Sequence, residues 1–256
     1  MRLMLCIAVT STIWLSAQVP AHAEKLVLVA GGGDGADGTS AVGGQLRSPF
    51  GVHFDQAGNM YLVELTGQRV RKVDSRGVLT TVAGTGELGN AGDGGPAAKA
   101  QFNGMHSLAI APDGSIYLSD TWNNRIRKLD PQSGTISAVA GTGEKGFSGD
   151  GGPAAQAKFG GIYCVALDPA GARMYLADLD NRRIRVVDLK TGIVGTVAGN
   201  GEKGVPADGA DAKTSPLVDP RAVAADRQGN VYLLERSGHA LRVVDPSGKI
   251  RTVVGT

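Results

Sequence analysis

The 256-residue sequence contains 26 lysines and arginines against 24 aspartates and glutamates, a formal net charge of +2. Because acidic and basic residues are nearly equal in number, the chain lacks the basic surface expected of a nucleic-acid-binding domain or of a protein held on an anionic membrane. The 39 glycines and 5% aromatic residues fit many short strands joined by turns, and leave few large side chains for a deep apolar pocket.

The chain begins with the layout of a secretory signal peptide. Arg2 precedes an apolar run over 3–15, and Ala21-His22-Ala23 forms a small-x-small cleavage site. We therefore expect residues 1–23 to be removed and residues 24–256 to be exported as one domain, to the periplasm or outside the cell. An apolar run this short, with no second one downstream, is not expected to insert in a membrane.

Four tyrosines mark a repeat in the rest of the chain. Each follows a short turn, and they are 56, 58 and 57 residues apart: Tyr61, Tyr117, Tyr175 and Tyr232. This period is typical of a repeat architecture. In the second copy, turns rich in Gly, Asp, Asn and Pro separate four strand-like runs, named a to d: 107–111, 116–119, 125–129 and 135–140. Such sheets bury both faces when they pack around an axis, which favours a β-propeller over a linear stack.

The run YLSDTWNNRIRKLD, followed by VAGTG and FSGDGGPA, resembles the NHL repeat of bacterial secreted propellers and of modular receptors and sensors. The resemblance extends over residues 25–256 and implies an all-β propeller with strand a innermost. It implies little about activity, because propellers of this family include ligand-binding modules, sensors and a few enzymes.

Counting the strands leaves one more than four blades need. Residues 25–46 match a d strand, expected over 25–30, and its following loop, yet the chain also ends on a complete d strand over 249–256. The prediction is four complete four-stranded blades plus one extra N-terminal outer strand. A closed four-bladed monomer is favoured. The alternatives are an open or paired ring in which two chains complete each other, and a shortened array. A dimer through the extra strand is also possible.

Strand direction divides the connections between two faces. Because each strand reverses direction, the a-to-b and c-to-d turns share one face, and the b-to-c and d-to-a connections share the other. The first, the short-turn face, is predicted to be plain. The second, the long-loop face, carries the Gly-rich loops 84–101, 141–158 and 199–216. It is the predicted binding face, because ligand contacts concentrate on long loops held by a rigid scaffold.

Residues that differ between the blades give the sharpest site prediction. The position just before the apolar part of strand a should rim the central channel, and it holds Phe50, His106, Tyr163 and Arg221. Such side chains can stack on, and hydrogen-bond to, a polar planar or sugar-like ligand. The alternative is that they plug the channel.

Residues that repeat in each blade are weaker candidates. One carboxylate ends each strand b: Glu64, Asp120, Asp178 and Glu235. A ring of carboxylates could bind a cation, a sugar or an amine, although pairing with strand-c arginines and loop amides is sufficient explanation. In the b-to-c loop of the second copy, Trp122 and Asn123 are candidate ligand contacts, with packing of Trp122 on a neighbouring blade as the alternative.

The long loops repeat Asp-Gly-Gly-Pro-Ala at 93–97 and 150–154, a composition that suggests calcium ligands. Without a denser run of aspartates, a structural role is favoured, in which each aspartate bonds its own loop backbone. Outside the predicted signal peptide the histidines are His53, His106 and His239, which could meet at a zinc ion only if the ring brings them together. No cofactor is predicted, with calcium and zinc left open.

The leading prediction is an exported, non-enzymatic propeller that binds a protein, peptide or carbohydrate through the long-loop face. No catalytic residue is assigned, and neither nucleic acid nor membrane insertion is expected. One alternative is a metal-dependent hydrolase or lyase, lactonase-like or amidating-lyase-like, with its site at the central channel. The other is a structural envelope or assembly protein.

Overall fold

The computed structural model describes residues 26–255, so the predicted signal peptide lies outside the described part of the chain. No helix in this range is long and apolar enough to cross a membrane. Single turns of 3-10 helix occur at Ala97–Lys99, Thr121–Asn123 and Ala154–Gln156. The strands are β1 (Gly31–Gly35), β2 (Thr39–Ser40), β3 (Val42–Gly44), β4 (Pro49–Phe54), β5 (Met60–Glu64), β6 (Val70–Val73), β7 (Val78–Ala83), β8 (Ser107–Ile110), β9 (Ile116–Asp120), β10 (Arg125–Asp130), β11 (Thr135–Ala140), β12 (Ile162–Leu167), β13 (Arg173–Asp178), β14 (Arg183–Asp188), β15 (Val194–Ala198), β16 (Pro220–Ala225), β17 (Val231–Glu235), β18 (Ala240–Val244) and β19 (Ile250–Gly255).

Four antiparallel meanders form the four blades. Blade 1 is β4–β7, blade 2 is β8–β11, blade 3 is β12–β15 and blade 4 is β16–β19, and within each blade the strands pair in chain order. In blade 2 the strand bounds differ from the predicted ones by at most one residue. The prediction of an all-β propeller with four complete four-stranded blades is confirmed.

Aspartates fix the tight turns of the short-turn face. Asp55 accepts the backbone N–H groups of Ala57 and Asn59 at 2.9 Å each. Asp130 accepts the backbone N–H of Gln132 at 2.8 Å and the hydroxyl of Ser133, and the hydroxyl bond is the main reason why the pKa of Asp130 is lowered. These bonds satisfy the turn backbone and set the strand register. The same arrangement recurs at Asp74, Asp113, Asp168, Asp188, Asp226 and Asp245.

The apolar core lies between the blades. Between blades 1 and 2, Val63 and Val70 pack with Leu108 and Leu118. Equivalent clusters fill the other two interfaces. Each d-to-a loop contributes fully buried side chains to its interface, among them Phe102, Phe159 and Leu217. Neighbouring blades are therefore held together by the inner strands and by the loop that joins them.

The extra outer strand is present, but its predicted position is wrong. The strand β2 pairs antiparallel with β7, the outer strand of blade 1, whereas residues 26–30 lie outside any strand. Residues 31–46 take the path of a d-to-a loop. Every d-to-a loop of this chain reaches the outer strand of the blade that follows it. The corresponding bridges of the other loops are Pro96 to Thr135, Pro153 to Ile193 and Asp211 to Lys249.

The four blades form an open arc. The inner strands pack in the order β4, β8, β12 and β16, with no comparable packing between β16 and β4 in the described chain. Val52 on β4 is 53% exposed, and Leu234 on the far side of blade 4 is 47% exposed. The favoured closed four-bladed ring is therefore wrong for residues 26–255.

Candidate functional site

The four predicted rim residues come together at the long-loop end of the inner strands. The ring centroid of His106 lies 4.9 Å from that of Phe50 and 4.4 Å from that of Tyr163. The guanidinium carbon of Arg221 lies 4.4 Å from the ring centroid of Tyr163. We call these four residues the rim row. The alternating direction of the strands predicts that these residues share one end of the blades. The structure adds that each residue contacts the next one in the row.

His106 is the buried centre of the rim row. Its Nδ1 lies 2.9 Å from the carbonyl oxygen of Gly104 and 3.0 Å from the hydroxyl of Thr121, which itself donates to the carbonyl of Ile162. Because a carbonyl can only accept, Nδ1 carries the proton and donates. Burial is the main cause that lowers the pKa of His106, and the positive charge of Arg221 adds to it. The imidazole is therefore neutral at pH 7 and positions its neighbours.

The exposed members of the site are aromatic. Phe50 is 58% exposed, and Trp122, whose ring centroid lies 5.7 Å from that of His106, is 48% exposed. Trp122 packs on Gly104, where a Cβ would fall 2.2 Å from the indole ring. With the half-buried Tyr163, these rings form the aromatic platform, which we define as Phe50, Trp122 and Tyr163. Arg221 flanks it with a side chain that is 25% exposed.

Three of these features escaped the sequence reasoning, or were read differently. Gly104 and Thr121 hold His106 in place. Of the two, only Gly104 carries a sequence signal, because a glycine often marks a left-handed backbone, which here has φ +67°. The amide of Asn123, a candidate ligand contact, donates to the carbonyl of Gly89 at 2.7 Å and to Asp120 at 2.9 Å. Both of its donors are thus used to hold the loops.

The four strand-b carboxylates lie in a buried layer. Asp120 accepts the backbone N–H of Asn103 at 2.8 Å and faces the guanidinium of Arg127 at 3.8 Å. Burial outweighs these bonds and raises the pKa of Asp120 to about 6, as it does for Asp178. We call the pairs the carboxylate–arginine layer. They are Glu64 with Arg71, Asp120 with Arg127, Asp178 with Arg185, and Glu235 with Arg242, and no carboxylate is more than 1% exposed.

The aspartates of the Asp-Gly-Gly repeat bond to the next blade, and the predicted bond to their own loop is wrong. Asp93 accepts from Nε of Arg127 at 2.9 Å, and Asp150 accepts from Arg185 at 2.6 Å. Each buried arginine has donors to spare after facing its strand-b carboxylate, and the loop aspartate meets that demand. The strand-b carboxylates, which were the weaker candidates for ligand binding, therefore lie in a layer whose hydrogen bonds stabilise the fold.

No group of three or more His, Cys, Asp or Glu side chains is placed to hold a metal ion within residues 26–255. The three histidines lie in different places. His106 is in the rim row. His53 is exposed and lies near the short-turn face, and His239 occupies the b-to-c turn of blade 4 with φ +47°.

The short-turn face was predicted to be plain, and this prediction is wrong, because the face holds a cavity of about 660 Å³. His53 and the turn at Asp113 belong to its lining. Small side chains leave this end of the inner strands open, whereas the rim row fills the opposite end. These small residues are Ala109, Ala111, Ala166 and Ala224. The carboxylates of the lining, on Asp55, Asp113 and Asp168, are occupied by their own turns.

No protein-family model matches the chain. Among curated proteins, mouse teneurin-3 is 32% identical over 162 residues, which are 59% of this chain and 6% of that protein. Among solved structures, a putative gluconolactonase has a TM-score of 0.54 at 15% identity, covering 81% of this chain and 63% of its own. Virginiamycin B lyase from Staphylococcus aureus, solved with quinupristin, has a TM-score of 0.51 at 15% identity, covering 80% of this chain and 54% of its own.

The chain thus spans a small fraction of the curated relative and little more than half of these solved structures. At 15% identity the structural likenesses concern the fold alone. Together with the four meanders and the packed inner strands, they show that the chain has the β-propeller fold.

Proposed function

We propose that the chain is an exported, non-enzymatic binding module of the NHL-repeat type, which binds a protein, peptide or carbohydrate on its long-loop face. The observation that carries the proposal is the aromatic platform beside Arg221. Its members Phe50 and Tyr163, like Arg221, stand at a position of strand a that differs in every blade, and the platform leaves Phe50 and Trp122 about half exposed. Binding residues need to differ between repeats, whereas residues that fold each repeat do not.

The platform has the chemistry of a recognition surface. Its rings offer flat apolar faces, and Arg221, whose side chain is 25% exposed, adds a guanidinium group with N–H donors. Aromatic and arginine side chains dominate the binding energy of many protein interfaces. Aromatic faces with adjacent donors equally suit the apolar face and hydroxyl groups of a sugar.

The likeness to teneurin-3 and the quoted repeat motifs support the NHL-type assignment. The lyase and the putative gluconolactonase share the fold with this chain, and their activities do not carry over at 15% identity.

The test is a screen of the purified chain on glycan and peptide arrays, followed by calorimetric titration of any hit. We expect Phe50→Ala with Trp122→Ala to weaken binding at least about tenfold, a loss of about 1.4 kcal/mol. The control is Ile193→Ala, which removes a 38% exposed apolar side chain from the c-to-d turn of blade 3, on the short-turn face. Equal affinity of both variants for the hit would refute the platform as the binding site.

Export is tested separately by expressing the full sequence in a bacterial host and sequencing the N-terminus of the product. We expect Glu24 as the first residue, because cleavage should follow Ala23. A product that keeps Arg2 in the cytoplasm would contradict export.

A further inference from the structure

The two ends of the arc expose residues that are buried at every internal blade interface. Along the inner strands, Leu108, Val165 and Val223 are 4%, 3% and 6% exposed, and each packs on the blade before it. The equivalent residue of blade 1 is Val52, which is 53% exposed. On the same side of β4, Phe50 and Phe54 are 58% and 59% exposed. We call Phe50, Val52 and Phe54 the leading face.

Blade 4 shows the same contrast on its opposite side. At the position of Leu234, the first three blades carry Val63, Ser119 and Ala177, all with 0% exposure, whereas Leu234 is 47% exposed. Two strands further out, on β19, Val254 is 64% exposed, although its equivalents Ala83, Ala140 and Ala198 are fully buried. We call Leu234 and Val254, with the 41% exposed Val253, the trailing face.

The leading and trailing faces are the two halves of one interface. Val63 of blade 1 packs with Leu108 of blade 2, so the residue equivalent to Leu234 normally faces the residue equivalent to Val52. The chain builds this interface three times from its own blades. Only the inner part of blade 1 is bare, because Ala30, Ala41 and Leu46 already cover its outer part around Leu79.

We propose that a second copy of this chain packs its trailing face on the leading face of the first, and that the reciprocal contact closes a ring of two chains. The interface is head to tail, and such interfaces form closed rings when the rotation allows. Two copies give eight blades, whereas three would give twelve, beyond the usual range of about four to eight. The sequence favoured a monomer, and the bare end faces favour this pairing.

The rim row gives a second reason for the pairing. Within the chain each member contacts the next, from Phe50 to His106 to Tyr163 to Arg221. The row thus ends in a cation on the trailing side and begins with an aromatic ring on the leading side. In the head-to-tail ring, Arg221 of one copy meets Phe50 of the other, which repeats the contact of Arg221 with Tyr163. Phe50 then has a neighbour on each side, as Tyr163 has, and it keeps the partial exposure of Tyr163, so it remains part of the aromatic platform.

The test is light scattering of the exported chain after size-exclusion chromatography, over a wide range of concentrations. We expect the mass of two chains. Val52→Asp and Leu234→Asp should each give monomers, since each places two charges in the ring's apolar interfaces. An equimolar mixture of the two variants should recover a dimer, because one of its two interfaces contains only unaltered residues.

The control is Leu88→Asp, which changes an exposed apolar residue of a long loop and should leave the dimer intact. Recovery in the mixture also shows that both variants fold. An unaltered chain that runs as a monomer, or as species larger than two chains, would overturn the proposal, as would a Val52→Asp dimer or a mixture that stays monomeric. Mass is measured without ligand, so failure here leaves the proposed binding function untouched.

Discussion

The carboxylate–arginine layer and the rim row both lie at the long-loop end of the same four blades, yet their side chains are used in opposite ways. The layer repeats an acid and an arginine in every blade, buries the carboxylates to 1% exposure or less, and places each carboxylate against a loop N–H group and a guanidinium group. The row changes residue type in every blade and leaves Phe50 more than half exposed. Repetition therefore marks what each blade needs to fold, and variation marks where a ligand can be recognised.

The largest effect should come from opening the layer. Arg127 is fully buried and donates to Asp93, to the carbonyl of Gln101 at 2.7 Å and to that of Ala91 at 3.1 Å. Arg127→Met should lower the free energy of unfolding by about 3–5 kcal/mol, because Asp120 loses its buried partner. Arg125→Met, at a 21% exposed side chain that also faces Asp93, should cost at most about 1 kcal/mol. Urea denaturation measures both, and equal losses would break the distinction.

A smaller loss is expected where the row meets the backbone. Gly104→Ala combines a left-handed φ of +67° with a Cβ that would strike Trp122, so it should cost about 2–4 kcal/mol. Gly134 has nearly the same φ, +68°, and open space around its Cβ position. Gly134→Ala should therefore cost only the backbone strain, about 1 kcal/mol. If thermal denaturation gives the same loss for both, Trp122 does not pack on Gly104.

The next prediction concerns the pH dependence of the free energy of unfolding, to which Asp120 of the carboxylate–arginine layer contributes. The pKa of Asp120 is raised to about 6, while the unfolded carboxyl titrates near 3.9. Between these values the folded chain keeps a proton that the unfolded chain has lost, so this residue's contribution falls as pH rises from about 4 to 6 and is constant above. Compared with the unaltered chain, Asp120→Asn should remove that fall, by about 1.4 kcal/mol for each unit of raised pKa. Parallel curves for the two proteins would contradict the assignment.

The smallest effect belongs to His106, whose pKa is lowered chiefly by burial. As pH falls below 6.5, the unfolded imidazole takes up a proton before the folded one, so the folded chain loses stability. His106→Gln should flatten this acid-side decline, which urea denaturation at pH 7.5 and 5.5 measures. A His106 that titrates at or above 6.5 in a proton NMR experiment would contradict its buried, neutral state.

The sequence predicted the contents of a blade better than the assembly of blades. Turn residues such as the Pro112 to Ser115 stretch set strand bounds locally, which is why blade 2 matched within one residue. Parity along a meander also placed Phe50, His106, Tyr163 and Arg221 together. The choice of an open arc over a closed ring was not predictable, because the rotation between blades depends on the packed volume of facing side chains and not on the repeat itself.

Two errors have the same kind of cause. The cavity on the short-turn face arises from alanines of different blades that meet only in three dimensions, such as Ala109 and Ala166. The loop aspartates were expected to bond locally, yet Asp93 reaches a buried arginine 34 residues away. Single-sequence patterns show what a residue can do nearby, and say less about which distant donor will need it.

The central claim is that the layer carries the fold and the rim row carries binding. The most direct test measures urea denaturation and ligand titration together for Phe50→Ala with Trp122→Ala, using the array hit of the unaltered chain as ligand. We predict a loss of less than about 2 kcal/mol in unfolding free energy, since both side chains are about half exposed, and at least about tenfold weaker binding. Unchanged affinity, or a loss of stability as large as that of Arg127→Met, would contradict it.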